Sequence, residues 1–360
     1  MMQMHGANTA EISRRYAIKE SAIIDFSSNG NPLGFPAAVS SLLLKGAAAL
    51  SCYPDTHASE LREVLARSHA CSPRNIMVGN GSTELIYLIP RALKPRRALI
   101  FQPTFSEYQR SLLAAGCEVR FLPLREKRGY AVSIEETIGL LGSADMLILC
   151  NPNNPTGKLV GASELHALLG EAEKRGVVVV VDEAFMDFTP QQSLAREVGS
   201  GGNLLVLRSM TKFFGIPGIR LGYLLAPAAL VRQLMQYKEP WTVNGLAQQI
   251  GIACIADMQF GEETRRFIEA ERGYLLSRLN AIRGLRPHPS SANYLLVKIT
   301  RAGLSSAALY EALARQGILI RDCRSFKGLG NRFIRVAVKN RKHNRLLLAA
   351  LAEVMEGYER

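Results

Sequence analysis

Lys212 stands in Ser209-Met210-Thr211-Lys212, with two hydroxyl side chains just ahead of it and Arg220 eight residues after it. An amine that follows an apolar strand is chemically a nucleophile, although a lone lysine there is more often a solvated surface residue. Thirty residues earlier, Asp182 closes the run Val177 to Val181, at the strand end where an open α/β sheet presents ligand-binding groups. Taken singly, an aspartate there would cap a helix. Another twenty-eight residues upstream, Asn154 sits in Asn151-Pro152-Asn153-Asn154-Pro155-Thr156-Gly157, which on its own is turn chemistry. Gly79-Asn80-Gly81-Ser82-Thr83-Glu84 opens the helical run Leu85 to Leu93, and backbone N–H groups with the helix dipole favour an anion at such a start. Arg321 and Arg335 follow or interrupt apolar runs near the C-terminus. A guanidinium fork suits phosphate or carboxylate oxygens taken in pairs, whereas an isolated strand arginine is more often a surface ion pair.

These residues need a scaffold that brings them together. From about residue 75 to 225, β-rich runs alternate with helical patterns, as in a mostly parallel sheet with crossover helices. The expected strands are Asn75 to Val78, Ala98 to Gln102, Glu118 to Pro123, Met146 to Cys150, Val177 to Asp182, Leu204 to Arg208 and Gly222 to Leu225. Several are apolar without alternation, which predicts helices on both faces. After Pro227 the pattern is helical through about Leu279, with a bend at Pro240. A second, smaller α+β unit follows, with strands at Tyr294 to Ile299, Gly317 to Arg321 and Phe333 to Val338, a helix over Ser305 to Gln316 and another from Asn340. The expected division is therefore residues 1–40 packing on the small unit, 41–270 as the large domain and 271–360 as the small one.

Composition narrows the alternatives. The 360 residues are 48% hydrophobic and 21% charged, ordinary for a globular chain of about two domains. No apolar run approaches the roughly 20 residues of a membrane span. Residues 1–9 show no basic flank ahead of an apolar stretch, so the cytoplasm is the expected compartment. Six scattered cysteines form no C-x-x-C pair and have no histidine at metal spacing, so neither zinc nor a disulfide framework is expected. The net charge of +13 could signal nucleic acid, and nine Lys and Arg residues lie between Arg321 and Arg345 against the single acid Asp322. That stretch also contains Phe333, Ile334, Val336 and Val338, so it reads as a strand with basic neighbours and not as a basic tail. No nucleic-acid or membrane partner is expected. The positive charge then reads either as a solvated face or as a pocket for a small phosphorylated, carboxylated substrate.

In that order and spacing, Asn154, Asp182 and Lys212 resemble the type I aminotransferase superfamily of pyridoxal phosphate enzymes. The resemblance implies that superfamily's α/β fold and pyridoxal 5'-phosphate as cofactor. It further implies that Lys212 carries the cofactor covalently, that Asp182 keeps the pyridine nitrogen protonated, and that Asn154 hydrogen-bonds the ring hydroxyl. Gly81, Ser82, Thr83, Ser209, Thr211 and Arg220 would surround the phosphate, and Phe105 would stack on the ring. Tyr53 matches a tyrosine that in relatives reaches the phosphate of the neighbouring subunit, which implies a homodimer with shared active sites.

The wider chain is similar to one branch of the superfamily, through Asp25 to Gly34, Leu93 to Ala98, Glu239 to Asn244, Ala292 to Leu296 and the short entry His5-Gly6-Ala7-Asn8. That branch holds the threonine-phosphate decarboxylases of cobalamin biosynthesis and the histidinol-phosphate aminotransferases. The aminotransferases usually carry a tyrosine three residues after the aspartate, where this chain has Phe185, and a glutamate where it has Gly30. Decarboxylation is the implied reaction and transamination the alternative. His5, Gly6, Asn29, Asn154, Arg321 and Arg335 match substrate-contacting positions.

Overall fold

The computed structural model describes residues 6, 8–46, 51–199 and 202–357. Its strands are β1 (Ile24–Asp25), β2 (Ile76–Asn80), β3 (Arg97–Gln102), β4 (Glu118–Pro123), β5 (Met146–Cys150), β6 (Val178–Asp182), β7 (Leu204–Ser209), β8 (Leu221–Leu225), β9 (Leu285–Pro287), β10 (Tyr294–Ile299), β11 (Ile318–Leu319), β12 (Arg321–Asp322) and β13 (Phe333–Ala337). Strands β2 to β8 form one seven-stranded sheet in the order β2-β8-β7-β6-β5-β3-β4. Its centre is parallel, and β8 runs antiparallel to both β2 and β7.

The unbroken apolar runs follow from burial on both faces. Val180, Leu205 and Ile148 point into a core shared with Leu85, Ile89 and Tyr108. Val179, Val181 and Leu147 point the other way, into the core that holds Leu165 and Leu168 of the helix Ala162–Lys174. Alternate residues of each strand thus serve opposite layers, and neither face tolerates a polar side chain until the strand ends. Because β4 and β5 flank β3, the sheet changes its direction of growth at β3, and a crevice opens beyond the carboxyl ends there.

The second sheet, β12-β13-β10-β9, is antiparallel throughout. The run Gly317 to Arg321, expected as one strand, divides at Ile320 between two partners. Ile318 and Leu319 pair in parallel with Ile24 and Asp25 of β1, whereas Arg321 and Asp322 pair with Arg335 and Ile334 of β13. This change of partner sets Arg321 opposite Arg335. The segment before Ser40 meets the second unit through the β1–β11 pair and through Phe26, whose N–H donates to Leu319 and whose carbonyl accepts from Ala337. The expected boundary at residues 270 and 271 falls within the helix Met258–Asn280, whose buried Leu275 and Leu279 join the core that also holds Leu296 and Val336. Among the described residues, no helix is long and apolar enough to cross a membrane.

Candidate active site

One cavity of about 470 Å³ lies beyond the carboxyl ends of β3, β5, β6 and β7 and is closed on its far side by β12 and β13. Every candidate residue lines it except Tyr53 and His5. His5 lies outside the described residues. Tyr53 is largely exposed on the surface, its ring 5.2 Å from that of Trp241.

Asp182 emerges at the end of β6 and is almost fully buried. Its carboxylate accepts from the Tyr108 hydroxyl at 2.6 Å and from the Ala184 N–H at 2.9 Å. Burial nevertheless pushes its pKa up to about 6, with Glu183 adding to the rise. The site therefore holds a carboxylate whose negative charge is poorly compensated, as fits a group meant to face a cation. Lys212, in the short helix Met210–Phe213 after β7, has the complementary shift. Burial lowers its pKa from 10.5 to about 8, and Arg335 and Arg220 contribute repulsion. An amine poised near neutrality supplies the unprotonated form that attacks a carbonyl.

The anion cradle is built from close backbone approaches. Gly81 opens the helix Gly81–Leu93 with φ +74°, and a Cβ there would come within 2.6 Å of the Arg220 Nη2. Gly222 lets the same helix start sit on β8, where a Cβ would lie 2.4 Å from the Ser82 nitrogen. The Ser209 and Thr211 hydroxyls meet at 2.9 Å. Arg220 itself adopts φ +60°, a conformation that costs a non-glycine residue about 1 kcal/mol or more. Its Nη1 donates to the Pro217 carbonyl at 3.1 Å, so the guanidinium is anchored beside the helix start. Hydroxyls, a helix N-terminus and a guanidinium converge on one spot.

The opposite wall is cationic. Arg335 is buried. Its Nη1 donates to the Asn154 Oδ1 at 2.6 Å and its Nη2 to the Ser27 carbonyl at 2.8 Å, above the Tyr294 ring. Arg321 donates to the Ser325 hydroxyl at 2.8 Å and lies over Phe326. Arg324 does not line the cavity; it is exposed and paired with Asp322 at 2.6 Å.

Several functional contacts escaped the sequence. Tyr108 lies one helical turn after Phe105, and its hydroxyl orients Asp182; the i, i+3 aromatic spacing was the available signal. Asn153 ties three segments together, donating to Pro103 and Thr156 and accepting from Thr104 and from the Tyr294 hydroxyl. Nothing in its local sequence distinguishes it from Asn151 or Asn154. Phe185 is buried edge-on against Tyr294 at 5.0 Å and brings no hydroxyl to the cavity.

With this geometry in place, the match of residues 21–351 to the aminotransferase class I and II family is decisive, and the chain belongs to that family. Among its relatives is the threonine-phosphate decarboxylase of Salmonella typhimurium, 37% identical over 355 residues, covering 98% of this chain and 97% of the relative. The solved structure of a histidinol-phosphate aminotransferase from Clostridium acetobutylicum superposes with a TM-score of 0.87 at 32% identity, covering 92% of this chain and 99% of that one. The structure of an L-threonine-O-3-phosphate decarboxylase from Porphyromonas gingivalis gives 0.83 at 27%, with the same two coverages.

The cofactor of the family is pyridoxal phosphate, and the residues present fit it. A near-neutral amine, a buried carboxylate awaiting a cation, an aromatic face at Phe105 and a glycine-opened anion cradle surround one space. The Asn29 Oδ1 and Arg335 Nε atoms at this cavity are buried without a hydrogen-bond partner among the described residues, which leaves polar groups for a ligand to satisfy.

Proposed function

We propose that this enzyme decarboxylates L-threonine O-3-phosphate to (R)-1-amino-2-propanol O-2-phosphate and CO2, in cobalamin biosynthesis. The observation that carries this reading is the 37% identity to a threonine-phosphate decarboxylase over nearly the whole chain, joined to a second cationic wall apart from the cofactor cradle. A substrate with a phosphate and a carboxylate needs cationic donors beyond those that the cofactor phosphate takes, and Arg321 and Arg335 supply two guanidiniums there.

Bound pyridoxal phosphate supplies an electron sink conjugated to the substrate Cα. Lys212 would hold the cofactor through its amine and, once free, would be the group placed to hold a proton for delivery to the substrate Cα. Asp182, oriented by Tyr108, keeps the proton on the ring nitrogen. Asn154 holds the ring hydroxyl while its own Oδ1 accepts from Arg335. Gly81, Ser82, Thr83, Ser209, Thr211 and Arg220 bind the cofactor phosphate, and Phe105 packs on the ring. His5, Gly6, Asn29, Asn154, Arg321 and Arg335 contact the substrate. How the pocket orients the groups on the substrate Cα would decide which bond breaks, so the arginines that fix the carboxylate would select the reaction. Phe185 takes the place of a hydroxyl donor common in aminotransferases and leaves the ring oxygen to Asn154.

The active unit in this reading is a homodimer. Tyr53 and Trp241, both well exposed in one chain, are the surface that reaches the partner's phosphate site. The compartment we assign is the cytoplasm, which suits the six free cysteines. The deciding experiment supplies phosphothreonine to the loaded enzyme without any 2-oxo acid and measures CO2. Stoichiometric CO2 supports decarboxylation. Steady glutamate formation from histidinol phosphate and 2-oxoglutarate, with no CO2, assigns the chain to the aminotransferases, which its 0.87 superposition on one of them makes the rival outcome.

A further inference from the structure

Directly beneath the cofactor-binding face lies a buried ion pair that the mechanism does not use. Glu183 follows Asp182 at the end of β6, and Arg208 precedes Ser209 at the end of β7. Adjacent strand residues point to opposite faces, so Glu183 and Arg208 lie on the far side of the sheet from the groups that face the cavity. Both are almost wholly buried, and the Arg208 Nη1 meets the Glu183 Oε2 at 2.8 Å. The Arg208 Nη2 reaches Asp187 in the turn that follows β6. Glu183 also accepts from the Leu194 N–H at 2.7 Å and from the Ser193 hydroxyl.

Two charges removed from water seldom stabilise a fold more than apolar residues of the same volume, because the desolvation penalty offsets their attraction. A strand interior otherwise made of valine and leucine could have filled this space with either. The pair does what apolar residues do not: it links the residue just past β6 to the penultimate residue of β7 through directional contacts. Those ends carry Asp182 on one strand and Ser209, Thr211 and Lys212 on and after the other. The ladder itself also reaches this point, since the Glu183 N–H donates to the Leu207 carbonyl at 2.8 Å.

We infer that Glu183 and Arg208 are positioning residues, an ionic clamp that fixes the separation between the ring-nitrogen carboxylate Asp182 and the cofactor-bearing Lys212. The inference rests on the assignment of pyridoxal phosphate to this cavity, and not on which reaction follows.

The test uses the full-length protein and the triple variant Glu183→Gln/Asp187→Asn/Arg208→Met, which removes the charges of the pair together with the Asp187 charge that Arg208 also meets. Three quantities are compared: thermal melting of the cofactor-free form, the pyridoxal phosphate dissociation constant, and the pH midpoint of the visible absorption band of the lysine-bound cofactor. Melting is expected to stay close to the wild type. The dissociation constant should rise about tenfold, the scale on which loss of a group that orients a ligating residue is felt, and the absorbance midpoint should move with it. A variant that keeps both the dissociation constant and the midpoint overturns the inference, as does one whose weakened binding is fully accounted for by a lowered melting temperature. If that variant does not fold, Asp187→Asn alone loosens the same clamp from its more exposed end. A smaller midpoint shift in the same direction supports the clamp, and an unmoved midpoint rejects it. Wild-type protein that acquires no visible band at all would instead count against the cofactor assignment.

Discussion

The cavity has two cationic ends that are made in different ways. The cradle around Gly81 is set by backbone, a glycine at φ +74°, a second glycine that lets helix and strand touch, and a helix start, which together seat the Arg220 guanidinium against the large sheet. The wall opposite is built from side chains, Arg321 and Arg335, brought into register when one strand trades β1 for β13. A backbone cradle holds one invariant group and resists change. A side-chain wall on a separate sheet can be altered to suit another substrate while the cradle stays in place, so in the proposed reading cofactor binding falls to one end and specificity to the other.

Lys212 lies between the two ends, and its loss should have the largest effect. Lys212→Ala is expected to lower turnover by roughly a thousandfold or more and to abolish the covalent adduct that borohydride traps, read by peptide mass spectrometry. An adduct that persists at another lysine would move the chemistry away from this cavity. Arg335→Met should come next. Removing one member of a buried, hydrogen-bonded charge set costs about 2–5 kcal/mol, so kcat/KM should fall on the order of a hundredfold, while the cofactor's visible band is retained. If the band is lost as well, the two ends are not separable in the way proposed. Gly81→Val attacks the other end. A β-branched residue at that φ, with its Cβ against the Arg220 Nη2, should weaken cofactor binding by about tenfold, consistent with a strain of about 1–3 kcal/mol. Substrate KM at saturating cofactor should be little changed. A selective rise in KM would reverse the assignment of the ends.

The sequence disclosed the two ends unequally, for the same physical reason. The cradle and the seven-stranded sheet were legible because local signals dominate there. Burial on both faces forces continuous apolar runs such as Val178–Val181, and close approach forces glycine at Gly81. The wall was legible only as two arginines. That they would lie opposite each other depended on a partner exchange at Ile320, which is set by non-local pairing with Ile24 and Arg335. The short strands β1 and β9 were missed for the same reason, since two or three residues carry no readable period. Tyr108 and Asn153 were missed because their partners lie 74 and 50 residues away, at Asp182 and Pro103.

The smallest effect expected is also the one that senses both ends together. In the cofactor-free protein the Lys212 pKa is lowered from 10.5 to about 8, by burial first, then by Arg335, then by Arg220. A base with a depressed folded-state pKa contributes stability that is fully present above its unfolded value and is lost as the pH falls through the folded one. Between pH 9.5 and 7.5 the unfolded chain binds nearly a whole proton at this lysine that the folded chain takes up only partly, which amounts to about 1–2 kcal/mol. Urea denaturation of the cofactor-free wild type should therefore show that much extra stability at pH 9.5 relative to pH 7.5, beyond the change seen in Lys212→Met. In Arg335→Met the extra increment should shrink more than in Arg220→Met, because the wall repels the ammonium more strongly than the cradle does. Equal increments in wild type and Lys212→Met would mean that the amine is not poised near neutrality. An Arg220 effect larger than the Arg335 effect would place Lys212 closer in field to the phosphate end than to the substrate end.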